Sequence, residues 1–357
     1  MKKVCSILLS LALSLGLLAG CSSTASSSAP ASASVPASSV PPLTDSQVES
    51  AAEAAPEGSA TVRVASLQGP TTMGMVELMQ TADEGGAAQF YNFNMYGAAE
   101  EVSTQVISGD VDIALVPANL ASVLYNKTEG GVQVLAINTL GVLYIVTTGG
   151  DVASVADLAG KTIYATGKGT TPEYALNYVL RQNGLEPGTD VTVEYYSEAT
   201  EVLAALQNAE GPAVAMLPQP YVTTAQMQME NLSVALNLTE EWDKVSPDSA
   251  LVTGVTLVRT EFAQEHPEAV EAFLQEYQTS VEWVNANTAD AAQLVADYGI
   301  VPKAEVAEKA LPACNIVYIA GDEMKADLSG YLQVLYDADA ASVGGAMPGD
   351  DFYYGAA

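Results

Sequence analysis

Each of two glycine turns contains a pair of threonines at the point where a strand is followed by a helix. The first turn is Gln68-Gly69-Pro70-Thr71-Thr72 and the second is Lys168-Gly169-Thr170-Thr171-Pro172. The first backbone N–H groups of a helix lack partners within the helix and carry the positive end of its dipole. Threonine hydroxyls at such a point can therefore hydrogen-bond a polar or anionic ligand. Each threonine can equally serve as a simple N-cap, which is the structural alternative for all four.

The two segments match again further along the chain. Ala99-Glu100-Glu101-Val102 opens one helix, and Ala199-Thr200-Glu201-Val202 opens the other. Each is followed by an apolar strand, which ends in Val116-Pro117-Ala118-Asn119 or in Leu217-Pro218-Gln219-Pro220. Four features in the same order at near-equal spacing indicate an internal duplication. Chance likeness between two α/β segments is the alternative, because strand–glycine–helix turns are common.

The polar side chains near these turns form a candidate ligand site. Lys168 is the one cation within a duplicated turn, so it could neutralise a ligand anion or simply be solvated. The amides of Asn119 and Gln219 can orient a neutral polar ligand, and Tyr221 can stack on a flat one or pack in the core. The candidate ligand-binding residues, which include a pair after the next strand, are Gly69, Thr71, Thr72, Ala118, Asn119, Asn138, Thr139, Lys168, Thr170, Thr171, Gln219 and Tyr221.

The elements that position these residues alternate between strand and helix. A β-rich run at Thr61–Leu67 leads into helical spacing at Thr71–Thr81, and Phe90–Tyr96 is the next strand. The alternation continues to Ser233–Leu236 and predicts βαβ units with largely parallel sheets. From Pro267 to Asp337 the pattern is helical. Two α/β lobes would therefore face each other, with a ligand cleft at the carboxyl ends of their strands.

The N-terminus predicts export and a lipid anchor. Lys2 and Lys3 precede an apolar run that ends in Leu18-Ala19-Gly20-Cys21. Small residues before a cysteine are typical of a lipobox, so residues 1–20 are expected to be a lipoprotein signal peptide and Cys21 to carry the lipid. Residues 21–59, which begin with a Ser/Ala/Pro-rich stretch, predict a flexible tether on the extracytoplasmic face of the cell membrane. An ordinary signal peptide or signal anchor is the alternative.

Charge and cysteine content exclude several classes of function. The chain has 43 acidic against 12 basic residues and a formal net charge of −31, which argues against nucleic-acid binding. Cys5 lies in the expected signal peptide, and Cys314 is expected to be a small buried hydrophobic residue. The sequence has no Cys/His metal spacing, nucleophile elbow or Walker loop, so we expect no metal, no cofactor and no catalytic residue.

Several of these motifs resemble a known family. Gly69-Pro70-Thr71-Thr72-Met73-Gly74-Met75, Val116-Pro117-Ala118-Asn119 and Met216-Leu217-Pro218-Gln219-Pro220-Tyr221 are similar to segments of type II periplasmic-binding proteins of ABC importers. The nitrate/sulfonate/taurine and thiamine-pyrimidine-precursor binding group shows the strongest resemblance. Val252-Thr253-Gly254-Val255 is similar to the point where such chains re-enter their first lobe.

The resemblance implies a two-lobed α/β fold, each lobe a mostly parallel sheet flanked by helices, joined by two crossovers. The first lobe would hold residues 60–144 and 256–357, and the second residues 145–255. The lobes would close on a small polar or heterocyclic organic solute, and the protein, a monomer, would pass that solute to an ABC permease and its ATPase. A sulfonate, taurine or nitrate binder is one alternative, although such ligands favour stronger cationic partners than Lys168. An enzyme similar to pyrimidine synthases is the other.

Overall fold

The computed structural model describes residues 60–356. The expected signal peptide at 1–20, the lipid-bearing Cys21 and the tether at 21–59 lie outside the described residues. None of the helices in the described part of the chain combines the length and the apolar composition that a membrane span requires.

Eleven strands of the described chain form two separate sheets, which are both mixed. The six-stranded first sheet has the order β11-β4-β10-β3-β1-β2, and the five-stranded second sheet has the order β7-β6-β8-β5-β9. We call each sheet with the helices packed on it a lobe. The strands are β1 Thr61–Leu67, β2 Phe90–Tyr96, β3 Ile113–Pro117, β4 Val132–Leu140, β5 Leu143–Thr147, β6 Thr162–Ala165, β7 Thr192–Tyr195, β8 Val214–Pro218, β9 Ser233–Asn237, β10 Val252–Arg259 and β11 Ile316–Ile319.

Helices connect the strands and cover the sheets. Apart from short 3₁₀ turns, they are α1 Pro70–Met73, α2 Val76–Asp83, α3 Ala99–Ser108, α4 Ala118–Lys127, α5 Thr171–Gln182, α6 Ala199–Asn208, α7 Tyr221–Gln228, α8 Leu238–Val245, α9 Thr260–Glu265, α10 Pro267–Ala286, α11 Thr288–Asp297, α12 Ala304–Ala310 and α13 Gly321–Ala338. This arrangement confirms the predicted α/β fold class. The sheets are mixed rather than mostly parallel as predicted, because β4, β5, β9, β10 and β11 pair antiparallel.

The pairing confirms that the two halves repeat one plan. β1 pairs in parallel with β2 and β3, and β6 pairs in parallel with β7 and β8. The equivalent registers are Val64 opposite Ile113 in the first sheet and Ile163 opposite Val214 in the second. Next to this parallel core, each sheet accepts an antiparallel strand, β10 in the first and β5 in the second. The order β2-β1-β3-β10-β4 therefore reappears as β7-β6-β8-β5-β9.

The antiparallel strands carry the chain between the sheets. The chain leaves the first sheet after Leu140 and joins the second at Leu143. It leaves the second sheet after Asn237 and rejoins the first at Val252. Leu143 and Tyr144 thus pair in the second sheet, and Val252–Val255 pair in the first. The residue ranges given above for the two lobes stay a prediction.

Two predicted helical segments differ from the structure. The helix expected over Thr71–Thr81 is divided at Gly74 into α1 and α2. A Cβ atom at Gly74 would lie 2.8 Å from Ile316 Cγ2 and 3.1 Å from Val281 Cγ2, so β11 and α10 approach the backbone there more closely than any other residue allows. The helical pattern predicted up to Asp337 is also wrong at Ile316–Ile319, which form the edge strand β11.

An aromatic cluster joins helices of the two lobes. Trp242 on α8 is fully buried, and its ring centroid lies 4.8 Å from that of Tyr178 on α5 and 5.5 Å from that of Tyr331 on α13. Helix α13 belongs to the first lobe, whereas α5 and α8 belong to the second. In the first lobe, Cys314 is buried as expected, and burial raises the pKa of its thiol to about 12.

Candidate functional site

A cavity of about 550 Å³ lies between the two sheets, at the carboxyl ends of their parallel strands. In the first lobe it is bounded by the residues that follow β1, β2 and β3, and in the second by those that follow β6, β7 and β8. Open α/β sheets bind ligands at this edge. The lining residues are Leu67, Gln68, Gly69, Pro70, Thr71, Gly97, Ala98, Ala99, Glu100, Pro117 and Thr253 from the first lobe, and Thr166, Gly167, Lys168, Thr170, Pro172, Tyr195, Tyr196, Ser197, Glu198, Ala199, Pro218 and Tyr221 from the second.

The structure separates the candidate ligand-binding residues into two groups. Those that line the cavity are Gly69, Thr71, Lys168, Thr170 and Tyr221. Those that do not line it are buried behind its wall and are Thr72, Ala118, Asn119, Asn138, Thr139, Thr171 and Gln219. Neighbouring residues such as Thr71 and Thr72 fall into different groups because successive positions on a turn point in different directions. Which residues bind a ligand stays a prediction.

The first glycine turn seats Thr71 in the cavity wall. The Thr71 hydroxyl donates to the backbone oxygen of Leu67 at 3.3 Å, and the Thr72 hydroxyl donates to the same oxygen. A Cβ atom at Gly254 on β10 would lie only 2.6 Å from Thr71 Cγ2 and 2.6 Å from Asn138 Oδ1. Glycine at this position therefore allows the turn to pack directly against β10.

The second turn is fixed by its own hydrogen bonds. Gly167 and Gly169 have φ values of 77° and 76°, in the left-handed region that favours glycine. The Thr170 hydroxyl donates to the backbone oxygen of Gly167 at 2.8 Å, and the Gly169 N–H donates to the Glu173 carboxylate at 2.6 Å. Glu173 thus stabilises the turn that presents Lys168.

A second pair of equivalent loops also lines the cavity. The sequence did not identify these loops as part of the site. Gly97 to Glu100 precede and begin α3, and Ser197 to Ala199 precede and begin α6. Glu101 accepts the Ala98 N–H at 3.2 Å, and Glu201 accepts the Glu198 N–H at the same distance. The loops face each other, since a Cβ atom at Gly97 would lie 3.5 Å from Glu198 Oε1. The duplicated helix openings in the sequence were the signal that could have located them.

The charge of the cavity wall is slightly negative. Its ionisable residues, besides three tyrosines, are Glu100, Glu198 and Lys168, which gives two carboxylates against one ammonium group. Burial raises the pKa of Tyr195 and of Tyr221, so both phenols are protonated donors at neutral pH. No group of His, Cys, Asp and Glu side chains within residues 60–356 has the arrangement of a metal site.

Asn119, one of the candidate ligand-binding residues, connects the two lobes. It is fully buried, and its Oδ1 accepts the Thr171 hydroxyl of the second lobe at 3.3 Å. Its Nδ2 donates to Ser342 O of the first lobe at 2.9 Å and to Gly169 O of the second at 3.5 Å. The amide therefore holds the Lys168 turn against the first lobe.

One protein family matches most of the chain. The model of the substrate-binding domain of the ABC-type glycine betaine transport system matches residues 60–312. No curated protein matches the sequence. Among solved structures, an ABC transporter protein of Parabacteroides distasonis is 19% identical, with 82% of this chain and 98% of that chain covered and a TM-score of 0.68.

Two further structures are of sulfonate-binding proteins. The periplasmic aliphatic sulphonate binding protein SsuA of Escherichia coli is 16% identical, with 78% of this chain and 88% of that chain covered and a TM-score of 0.64. The alkanesulfonate-binding protein SsuA of Xanthomonas axonopodis pv. citri, bound to MOPS, is 16% identical, with 83% and 96% covered and a TM-score of 0.63. At these identities the likeness shows the fold alone.

The family match and the fold agree with the resemblance found in the sequence. The matched residues begin at the first strand, end just after α12 and include every strand of both sheets except β11. They include every loop that lines the cavity. The chain therefore belongs to the family of substrate-binding domains of ABC-type glycine betaine transport systems.

Proposed function

We propose that this protein captures a small polar or heterocyclic organic solute in the cavity between its lobes and delivers it to an ABC permease and its ATPase. The observation that carries the proposal is the cavity itself, which lies at the carboxyl ends of two equivalent sheets and is lined by both. A solute bound there touches both lobes, so closure of the lobes and binding are coupled. As in the rest of its family, the role is binding and release rather than turnover.

The lining charges favour a neutral or zwitterionic solute over an inorganic anion. Lys168 is opposed by Glu100 and Glu198, so a bound anion would meet more negative than positive charge. Sulfonate binding is the second candidate, because two of the similar folds belong to proteins named for sulfonates. That candidate depends on Lys168, which is the only cationic residue among those that line the cavity.

Native mass spectrometry of the freshly purified protein would identify a solute that remains bound. The same solute should then raise the unfolding temperature of solute-free protein in proportion to the logarithm of its concentration. A protein that carries no solute, and that no member of a broad solute panel stabilises, would contradict the proposal.

Replacing Lys168 with methionine separates the two ligand classes. For a neutral or zwitterionic solute we expect affinity within about three-fold of wild type, because the lysine lies exposed at the wall and its charge is opposed by two carboxylates. Calorimetric titration of both proteins at low ionic strength measures the difference. Lys161→Met, in the second lobe outside the cavity, is the matched control. A loss above about thirty-fold in Lys168→Met alone would favour the sulfonate alternative, since a buried charge-assisted contact is worth about 2 kcal/mol.

We also propose that a lipid on Cys21 anchors the protein to the extracytoplasmic face of the membrane. The basic start, the apolar run and the Leu18-Ala19-Gly20-Cys21 sequence support this anchor. The mass of the protein extracted from membranes is expected to equal that of residues 21–357 plus the lipid. A soluble product, or one without added lipid mass, would refute the anchor and leave the solute-binding role in place.

A further inference from the structure

Two residues that line the cavity each have a hydroxyl group that is buried without a hydrogen-bond partner. The two hydroxyls are Tyr195 Oη and Thr253 Oγ1. A buried hydroxyl that lacks a partner costs about 1–3 kcal/mol, and nearly all such groups in folded proteins are satisfied. The other unpartnered buried side-chain atoms of residues 60–356 belong to residues that do not line the cavity.

The two hydroxyls come from opposite lobes. Tyr195 is the last residue of β7, at the carboxyl edge of the second sheet. Thr253 lies near the start of β10, next to Gly254, against which Thr71 of the first turn packs. A molecule that reached both hydroxyls would therefore connect the second lobe to the first at the point where the chain returns between them.

We propose that Tyr195 and Thr253 are the residues that hydrogen-bond the solute from the two lobes, and that this solute is a neutral or zwitterionic organic molecule with both an acceptor and a donor. The inference rests on the proposed function, because it assumes that the cavity binds a solute. It assigns recognition to two residues that the paired glycine turns do not contain.

The polar groups of the cavity wall favour a solute that has both an acceptor and a donor. Burial raises the pKa of Tyr195, and the nearby Glu173 and Tyr174 raise it further, so the phenol stays protonated and donates to an acceptor on the solute. Glu100 and Glu198 can only accept, so a solute that hydrogen-bonds to either of them does so through a donor group. Nitrate and sulfate carry no donor at neutral pH, whereas an aminopyrimidine carries both groups.

The threonine hydroxyls of the glycine turns are already engaged. Thr71 donates to Leu67 O, and Thr170 donates to Gly167 O. Each can still accept a hydrogen bond, but neither gains a first partner from the solute. Tyr195 and Thr253 would each gain their first hydrogen-bond partner from the solute. They should therefore contribute more to affinity than Thr71 and Thr170.

The test compares Tyr195→Phe and Thr253→Val with wild type in the full-length protein. Each variant removes one hydroxyl and keeps the rest of the side chain, so the solute-free protein should unfold at the same or a higher temperature than wild type. Affinity, measured by calorimetry with cytosine and with the solute retained through purification, should fall about ten-fold or more in each variant. Tyr164→Phe and Thr192→Val change the same residue types in the second sheet outside the cavity and should leave affinity unchanged.

The outcomes distinguish this inference from the proposed function. If wild type binds a solute and both variants bind it equally well, the assignment of Tyr195 and Thr253 is wrong, and the solute-binding role stands. If wild type prefers nitrate or sulfate to the organic probes, the ligand class is wrong. If wild type retains and binds no solute at all, the proposed function fails and this inference fails with it.

Discussion

Replacing Trp242 with alanine is expected to lower the free energy of unfolding by about 3–5 kcal/mol. The indole is fully buried between the rings of Tyr178 and Tyr331, and its Nε1 donates to Ser249 O at 3.0 Å. Alanine would remove the transfer free energy of the ring, leave a void and leave the half-buried Ser249 carbonyl without this donor. Because α13 lies on one side and α5 and α8 on the other, both lobes lose packing. Urea unfolding followed by circular dichroism measures the change.

Two further variants show whether the loss of stability comes from the aromatic cluster between the lobes. Trp242→Phe keeps an aromatic ring and should recover a good part of the stability, although it loses the donor to Ser249. Trp283, the other tryptophan of the chain, is only partly buried on α10, so Trp283→Ala should cost less. Equal unfolding midpoints for the two alanine variants would contradict the larger contribution to stability that we expect from Trp242.

Replacing Asn119 with alanine is expected to weaken solute binding by about ten-fold and to destabilise the protein by about 2 kcal/mol. The variant leaves the buried Thr171 hydroxyl without its acceptor and Ser342 O without its donor. These bonds hold the Lys168 turn against the first lobe, so their loss disfavours the arrangement in which both lobes line the cavity. Calorimetry measures affinity, and the small-angle scattering radius of the solute-free protein reports separation of the lobes.

The same helix supplies a matched control for Asn119. Asn126 also lies on α4, and its Nδ2 donates to Val343 O at 2.9 Å and Ala346 O at 2.8 Å, all within the first lobe. Asn126→Ala should therefore reduce stability by a similar mechanism without changing affinity or the scattering radius. If both variants leave affinity unchanged, the amide of Asn119 has only a local structural role.

Local sequence patterns predicted most of the strands because alternating sheets and helices leave strong signals. Thr61–Leu67 and Phe90–Tyr96 have the predicted bounds. The division of the first helix could not be predicted, since Gly74 is required by Ile316, a residue distant in the chain. β11 could not be predicted either, because it is a short edge strand whose apolar residues fit a helical pattern equally well.

The candidate site was predicted to the level of loops but not of side chains. The glycine turns do line the cavity, yet Thr72 and Thr171 point into the protein while Thr71 and Thr170 face it. An error of one residue in a helix start reverses such an assignment, and sequence patterns locate helix starts less accurately than that. Tyr195 and Thr253 lie in ordinary strand sequences, and only the folded structure shows that their hydroxyls lack partners.

The position of β10 also fixes the order in which the strands can pair as the chain emerges from a ribosome. β10 lies between β3 and β4, so β4 cannot join its sheet until Val252–Arg259 has emerged. By then every strand of the second sheet has already appeared, since the last of them ends at Asn237. The edge of β3 therefore stays unpaired until β10, a segment distant in the sequence, has emerged. Such long-range pairing slows folding, because the long segment between β3 and β10 has to close into a loop before the first sheet is complete.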